Sequence, residues 1–200
     1  MKFFEYGETE ITYLKERCSK LADVISEAGM LKRKVEPELF KALISSIVSQ
    51  QISTKAAATV FAKLFEIVGE MTAVAILGKT DDEIQSCGLS YRKVGYIKGI
   101  CSAVYNGELK LEAFVKMSDD EVIARLVKLN GIGVWSAEMF LIFSLMRPDV
   151  LSYGDLIIRK GIMKLYDLDA LSKKDFEVYR KLYSPYGTVA SLYLWNLAND

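Results

Sequence analysis

The sequence predicts an all-α fold of roughly ten helices. Three observations point there: apolar residues recur at three- and four-residue spacing almost throughout, proline occurs only as Pro37, Pro148 and Pro185, and no segment alternates apolar and polar residues long enough for a strand. Leu39, Leu43, Ile44, Ile47 and Val48 form one stripe, opened by Pro37, whose fixed φ suits a first helical turn. Further helices are expected from Thr54 to Val68, Lys93 to Val104, Asp119 to Leu129, Trp135 to Leu145, Leu156 to Tyr166, Lys173 to Tyr183 and Val189 to Ala198. Ser118 ahead of Asp119, Asp120 and Glu121 has the form of a capping box, in which the hydroxyl and the third-position carboxylate satisfy each other's backbone donors. No short repeat or low-complexity segment divides the 200 residues.

Composition removes several classes of chemistry. The chain has no histidine, which excludes a Ser-His triad, an imidazole base and most zinc sites. Catalysis must therefore rest on carboxylates, lysines, tyrosines or backbone dipoles. Cys18, Cys87 and Cys101 are too few and too scattered for a disulfide framework or a four-cysteine metal site. No window approaches the roughly 20 apolar residues of a membrane span. The acidic N-terminus, Met1 to Glu8, lacks an export signal, so a cytoplasmic location and no membrane partner are expected. The 26 basic and 26 acidic residues cancel, so any affinity for nucleic acid must come from local placement of charge. The cluster Lys32, Arg33 and Lys34 reads as a solvated connector.

The most informative segment is Leu129-Asn130-Gly131-Ile132-Gly133-Val134-Trp135-Ser136-Ala137, between two helical stripes. Two glycines one residue apart permit a tight turn and a close approach by another molecule. The helix that follows offers N–H groups and the positive end of its dipole, which suit a phosphate. An ordinary interhelical turn explains the spacing equally well.

The segment resembles the helix-hairpin-helix motif, with Asn130 in place of the common proline. Arg147-Pro148-Asp149-Val150-Leu151-Ser152-Tyr153-Gly154-Asp155 then resembles the Gly/Pro/Asp loop of the helix-hairpin-helix (HhH-GPD) DNA glycosylases, and Asp155 lies 22 residues after Gly133 (155 − 133). Ile47-Val48-Ser49-Gln50-Gln51-Ile52-Ser53 is similar to that superfamily's gap-filling loop, and Gly88 to Lys93 to its second DNA-facing turn. The stretch from Tyr183 to Trp195 resembles the closing helix of the AlkA-like 3-methyladenine DNA glycosylase II branch.

The resemblance implies a single glycosylase domain spanning 1–200, built as two helical lobes with a DNA-binding cleft. One lobe is about 36–128; the other combines about 1–35 with 129–200. It implies that Asp155 is the catalytic carboxylate, that Trp135, Met139 and Trp195 line the base pocket, and that Gln51 fills the gap left by a flipped nucleotide. Met139 stands where the branch carries a tyrosine. Backbone amides of Gly131, Gly133 and Ser136, with Lys93 and Arg92, are expected at DNA phosphates. Carbonyls of Val127, Leu129 and Ile132 are expected around a monovalent cation, Na or K.

Asp155 precedes Leu156-Ile157-Ile158, a helix start whose N–H donors suit an anion. A fixed carboxylate beside the sugar stabilises the positive charge that develops as a glycosidic bond breaks. Bifunctional members carry a Schiff-base lysine two residues after the second glycine, where this chain has Trp135. A monofunctional enzyme is therefore expected. No cysteine follows Cys101, so no iron-sulfur cluster and no required cofactor are expected. The expected enzyme is a monomeric N-glycosyl hydrolase that excises 3-methyladenine, 7-methylguanine or deaminated purines from damaged double-stranded DNA. Two alternatives stay open: a non-catalytic DNA-binding module, and a glycosylase of the same fold directed at another lesion.

Overall fold

The computed structural model describes residues 2–199. Among them are twelve α-helices: α1 (Glu8–Arg17), α2 (Ser19–Ala28), α3 (Leu39–Ser49), α4 (Thr54–Val68), α5 (Ala73–Leu77), α6 (Asp81–Gln85), α7 (Tyr91–Tyr105), α8 (Asp119–Leu126), α9 (Val134–Phe143), α10 (Leu156–Tyr166), α11 (Lys173–Tyr183) and α12 (Gly187–Asn199). A 3-10 segment at Leu111–Lys116 precedes α8. No helix among the described residues is long and apolar enough to cross a membrane.

Helix starts follow local chemistry. Ser118 and Glu121 form the expected capping box on α8, and Thr80 with Glu83 forms another on α6. Ser53, Ser90 and Ser172 cap α4, α7 and α11 through their hydroxyls. Pro37 lies one residue outside the Glu38 cap of α3 rather than in its first turn. The helix expected to reach Leu129 ends at Leu126, because the chain turns into the hairpin there. The sequence reading held no strands, yet Lys2–Phe3 (β1) pairs antiparallel with Lys34–Val35 (β2), and Phe4 N donates to Arg33 O at 2.8 Å. Two-residue strands are too short to show an alternating pattern.

The described residues form two compact units, 2–35 with 141–199, and 36–140. Residues 129–140, which the sequence reading grouped with the C-terminal lobe, belong with 36–128. The first unit closes over Leu14, Leu21, Ile25, Ile158, Ile162, Phe176 and Tyr193, all buried. Its central pair is α10 and α12. A Cβ on Gly161 would run into the Leu194 carbonyl oxygen, so only glycine lets the two helices approach this closely. The second unit closes over Leu43, Ile44, Ile47, Leu64, Ile76, Val94, Ile97, Phe114 and Leu126.

Candidate active site

In the first unit, Asp155 is the N-cap of α10, the role its position before Leu156 predicts. Its Oδ1 accepts the N–H groups of Ile157 and Ile158, each at 2.9 Å, and the indole Nε1–H of Trp195 at 3.2 Å. The carboxylate is only 6% exposed. A buried carboxylate costs several kcal/mol unless donors compensate, and three on one oxygen both compensate and fix its direction. Trp195 is itself 6% exposed. Phe143 stacks on it at 5.6 Å between centroids, and the Arg33 guanidinium lies 5.5 Å from its centroid. Arg33 thus reaches the neighbourhood of Asp155, which its reading as a solvated connector did not foresee.

The loop that delivers Asp155 is sewn to the start of α12. The Thr188 hydroxyl donates to Arg147 O at 2.6 Å and accepts from Val150 N at 3.0 Å. Asp149 accepts from Ser184 Oγ at 2.6 Å and from Gly187 N at 3.0 Å. A Cβ on Gly187 would come 2.8 Å from Asp149 Oδ1, so any larger residue would push this carboxylate from its present position. Thr188 and Ser191 are fully buried. Sequence reasoning assigned neither them nor Asp149 a role, because each acts on backbone groups far away in the chain.

In the second unit, Leu129–Gly133 turns between α8 and α9 as a hairpin should. Ile132 is buried and its N–H returns to Leu129 O at 3.1 Å. Gly131 has φ +89°, and a Cβ there would run into the Tyr96 ring. Both facts demand glycine. Gly133 has nothing within 4 Å of where a Cβ would be, so its backbone faces open space. Its carbonyl accepts from Ala137 N at 3.0 Å, and Ser136 sits in the first turn of α9, where N–H groups lack intrahelical acceptors. Trp135 is 47% exposed, and Met139 stands one turn further along the same helix face.

Gln51 is exposed, with φ +60°. A non-glycine residue in that region carries a cost of about 1 kcal/mol and marks a locally constrained loop. Lys93, expected at a phosphate, instead donates to Val48 O at 2.9 Å and Gln50 O at 2.7 Å. The end of α3 leaves carbonyls without partners, and an ammonium satisfies them. Gln50 Nε2 donates to Gly131 O at 2.7 Å. Arg92 is exposed at the start of α7, and Val127 is exposed just past α8.

A glycine hairpin leading into one helix, with a buried carboxylate capping the next, defines a class of base excision proteins. The chain belongs to the HhH-GPD superfamily of base excision DNA repair proteins, whose model matches residues 44–185. The crystal structure of a DNA-3-methyladenine glycosidase from Bacillus halodurans superposes with a TM-score of 0.88 at 35% identity, covering 99% of this chain and 93% of that one. A 3-methyladenine DNA glycosylase of Schizosaccharomyces pombe in complex with abasic DNA gives 0.81 at 30% identity over 94% and 95%. The DNA-3-methyladenine glycosylase of Saccharomyces cerevisiae is 34% identical over 81% of this chain and 67% of its own length.

Proposed function

We propose that the protein is a monofunctional DNA glycosylase that releases 3-methyladenine from damaged double-stranded DNA, with 7-methylguanine and deaminated purines as further substrates. The observation that carries this reading is Asp155, buried and held by three donors on Oδ1. A preorganised anion stabilises an oxocarbenium-like transition state without reorganising at the moment of reaction, and it orients the attacking water. The names of relatives spanning most of the chain support the substrate class.

Trp135 presents an exposed indole, and an electron-rich ring face attracts a cationic alkylpurine by stacking and cation-π contact. Met139 beside it supplies a flexible, polarisable wall. Trp195 contributes by holding Asp155. The amides of Gly131, Gly133 and Ser136 grip a phosphate, and Gln51 occupies the space the flipped nucleotide leaves. The second lone pair of the Leu129 carbonyl, with the carbonyls of Val127 and Ile132, gives a neutral oxygen set that suits Na or K.

The test is base release from a panel of duplexes carrying single lesions, with borohydride added in parallel. The expected result is free alkylpurine, an intact strand with an abasic site, and no trapped adduct, since Trp135 replaces the amine that trapping needs. Tight binding with no release from any lesion would make the protein a non-catalytic binding module. Release confined to oxidised or mismatched bases would assign a different lesion.

A further inference from the structure

Two α7 residues one turn apart meet the neighbouring turns, Lys93 the Gln51 loop and Tyr96 the glycine hairpin. Lys93, half-buried, reaches the end of α3 and donates to the carbonyls of Val48 and Gln50, which flank the start of that loop. Tyr96 fills the space that a side chain on Gly131 would need. Gln50 closes the circuit by donating its side-chain amide to the Gly131 carbonyl, joining the loop to the hairpin. Between these attachments stands Gln51, exposed and in a left-handed backbone conformation that an unbraced loop would abandon.

We propose that Lys93 and Gln50 are positioning residues that hold Gln51 as a rigid wedge, so that the hairpin's grip on phosphate and the wedge's entry into the duplex form one mechanical unit. This rests on the glycosylase reading given above. A wedge must displace a stacked base, and a loop fixed beforehand loses less freedom when it does so. The two bonds from the ammonium go to backbone carbonyls rather than outward, so Lys93 serves the loop and not a phosphate. Burial together with nearby Arg92 lowers its pKa, as expected for an ammonium drawn away from water.

The experiment compares Lys93→Met and Gln50→Leu with the wild type in two assays. The first follows a duplex carrying an abasic-site analogue opposite 2-aminopurine, whose fluorescence rises when the wedge unstacks it. At saturating protein the wild type raises the signal, and both variants lose most of that rise. The slope of log Kd against log salt stays unchanged. A slope shallower by about one would make Lys93 a phosphate contact and overturn the proposal. The second assay is single-turnover release of 7-methylguanine. Both variants are expected to fall about tenfold on a fully paired duplex yet stay within about twofold when the lesion is in a bulge and already extrahelical. Equal losses on both substrates, or a full fluorescence rise in both variants, contradict the wedge. Should the wild type release no base from any lesion, the glycosylase reading fails while the fluorescence assay still decides the brace. Gln50→Leu removes a single loop hydrogen bond and guards against misfolding of the lysine variant.

Discussion

The indole N–H of Trp195 ends on the same Asp155 oxygen that accepts the first two amides of α10, at 3.2 Å. Three rigid donors, two from backbone and one from a buried ring, converge on a single oxygen. Trp195 is thereby tied to the carboxylate rather than simply filling space. A hydrogen bond to a charged group contributes about 1.5–3 kcal/mol. Trp195→Phe should therefore slow single-turnover base release by roughly 10- to 100-fold. Affinity for abasic DNA should hold, since the ring volume is largely kept. A matching loss of affinity would show that the indole acts on the DNA instead.

The Trp195 contact depends on how closely α12 approaches α10. Gly161→Ala would set a Cβ against the Leu194 carbonyl, where backbone must give way. Overpacking of this kind costs about 1–3 kcal/mol, and urea unfolding should show it as a lower midpoint. An unchanged midpoint would mean that the helices separate freely.

Gly131 and Gly133 should separate stability from binding. Gly131→Ala meets the Tyr96 ring at φ +89°, so it should lower the thermal midpoint by several degrees, about 1–3 kcal/mol. Gly133→Ala has room for its methyl and should fold normally, yet its Cβ would stand in the space proposed for a phosphate. Filter binding to duplex DNA should weaken by about tenfold for Gly133→Ala. Unimpaired binding would remove Gly133 from the interface.

Alkaline pH should destabilise the protein. Burial pushes the Cys101 thiol up to about 12 from an ordinary value of 9.0, and it raises the hydroxyls of Tyr166, Tyr183 and Tyr193 above theirs of 10.0. These groups stay protonated in the fold while the unfolded chain releases its protons, so their contribution is complete below about pH 9 and is lost as pH rises through the folded values. For Cys101 alone the slope is about 1.4 kcal/mol per pH unit between roughly 9 and 12. Urea midpoints measured from pH 8 to 10.5 should fall. A flat profile would place these groups in contact with water.

Most of the helical architecture was legible because its signals are local. The bounds of α10 and α11 coincide with the expected ones, since Asp155 and Ser172 cap helices that begin at the next residue. The short helices α5 and α6 escaped notice because five residues carry little periodicity. The position of Asp155 was also legible, through a cap and a spacing. The partners of Lys93 were not: its acceptors are backbone carbonyls 43 and 45 residues away, and a lysine at a helix start announces charge without saying what it faces. The bond from Trp195 to Asp155, across 40 residues, was hidden for the same reason.

The central claim is that Asp155 is the anion that stabilises the transition state, and Asp155→Asn tests it most directly. The amide keeps an oxygen that accepts from Ile157, Ile158 and Trp195 while losing the charge. Single-turnover release of 3-methyladenine from duplex DNA should fall by at least about 100-fold, with affinity for abasic DNA unchanged. Release at close to the wild-type rate by the folded variant would contradict the assignment.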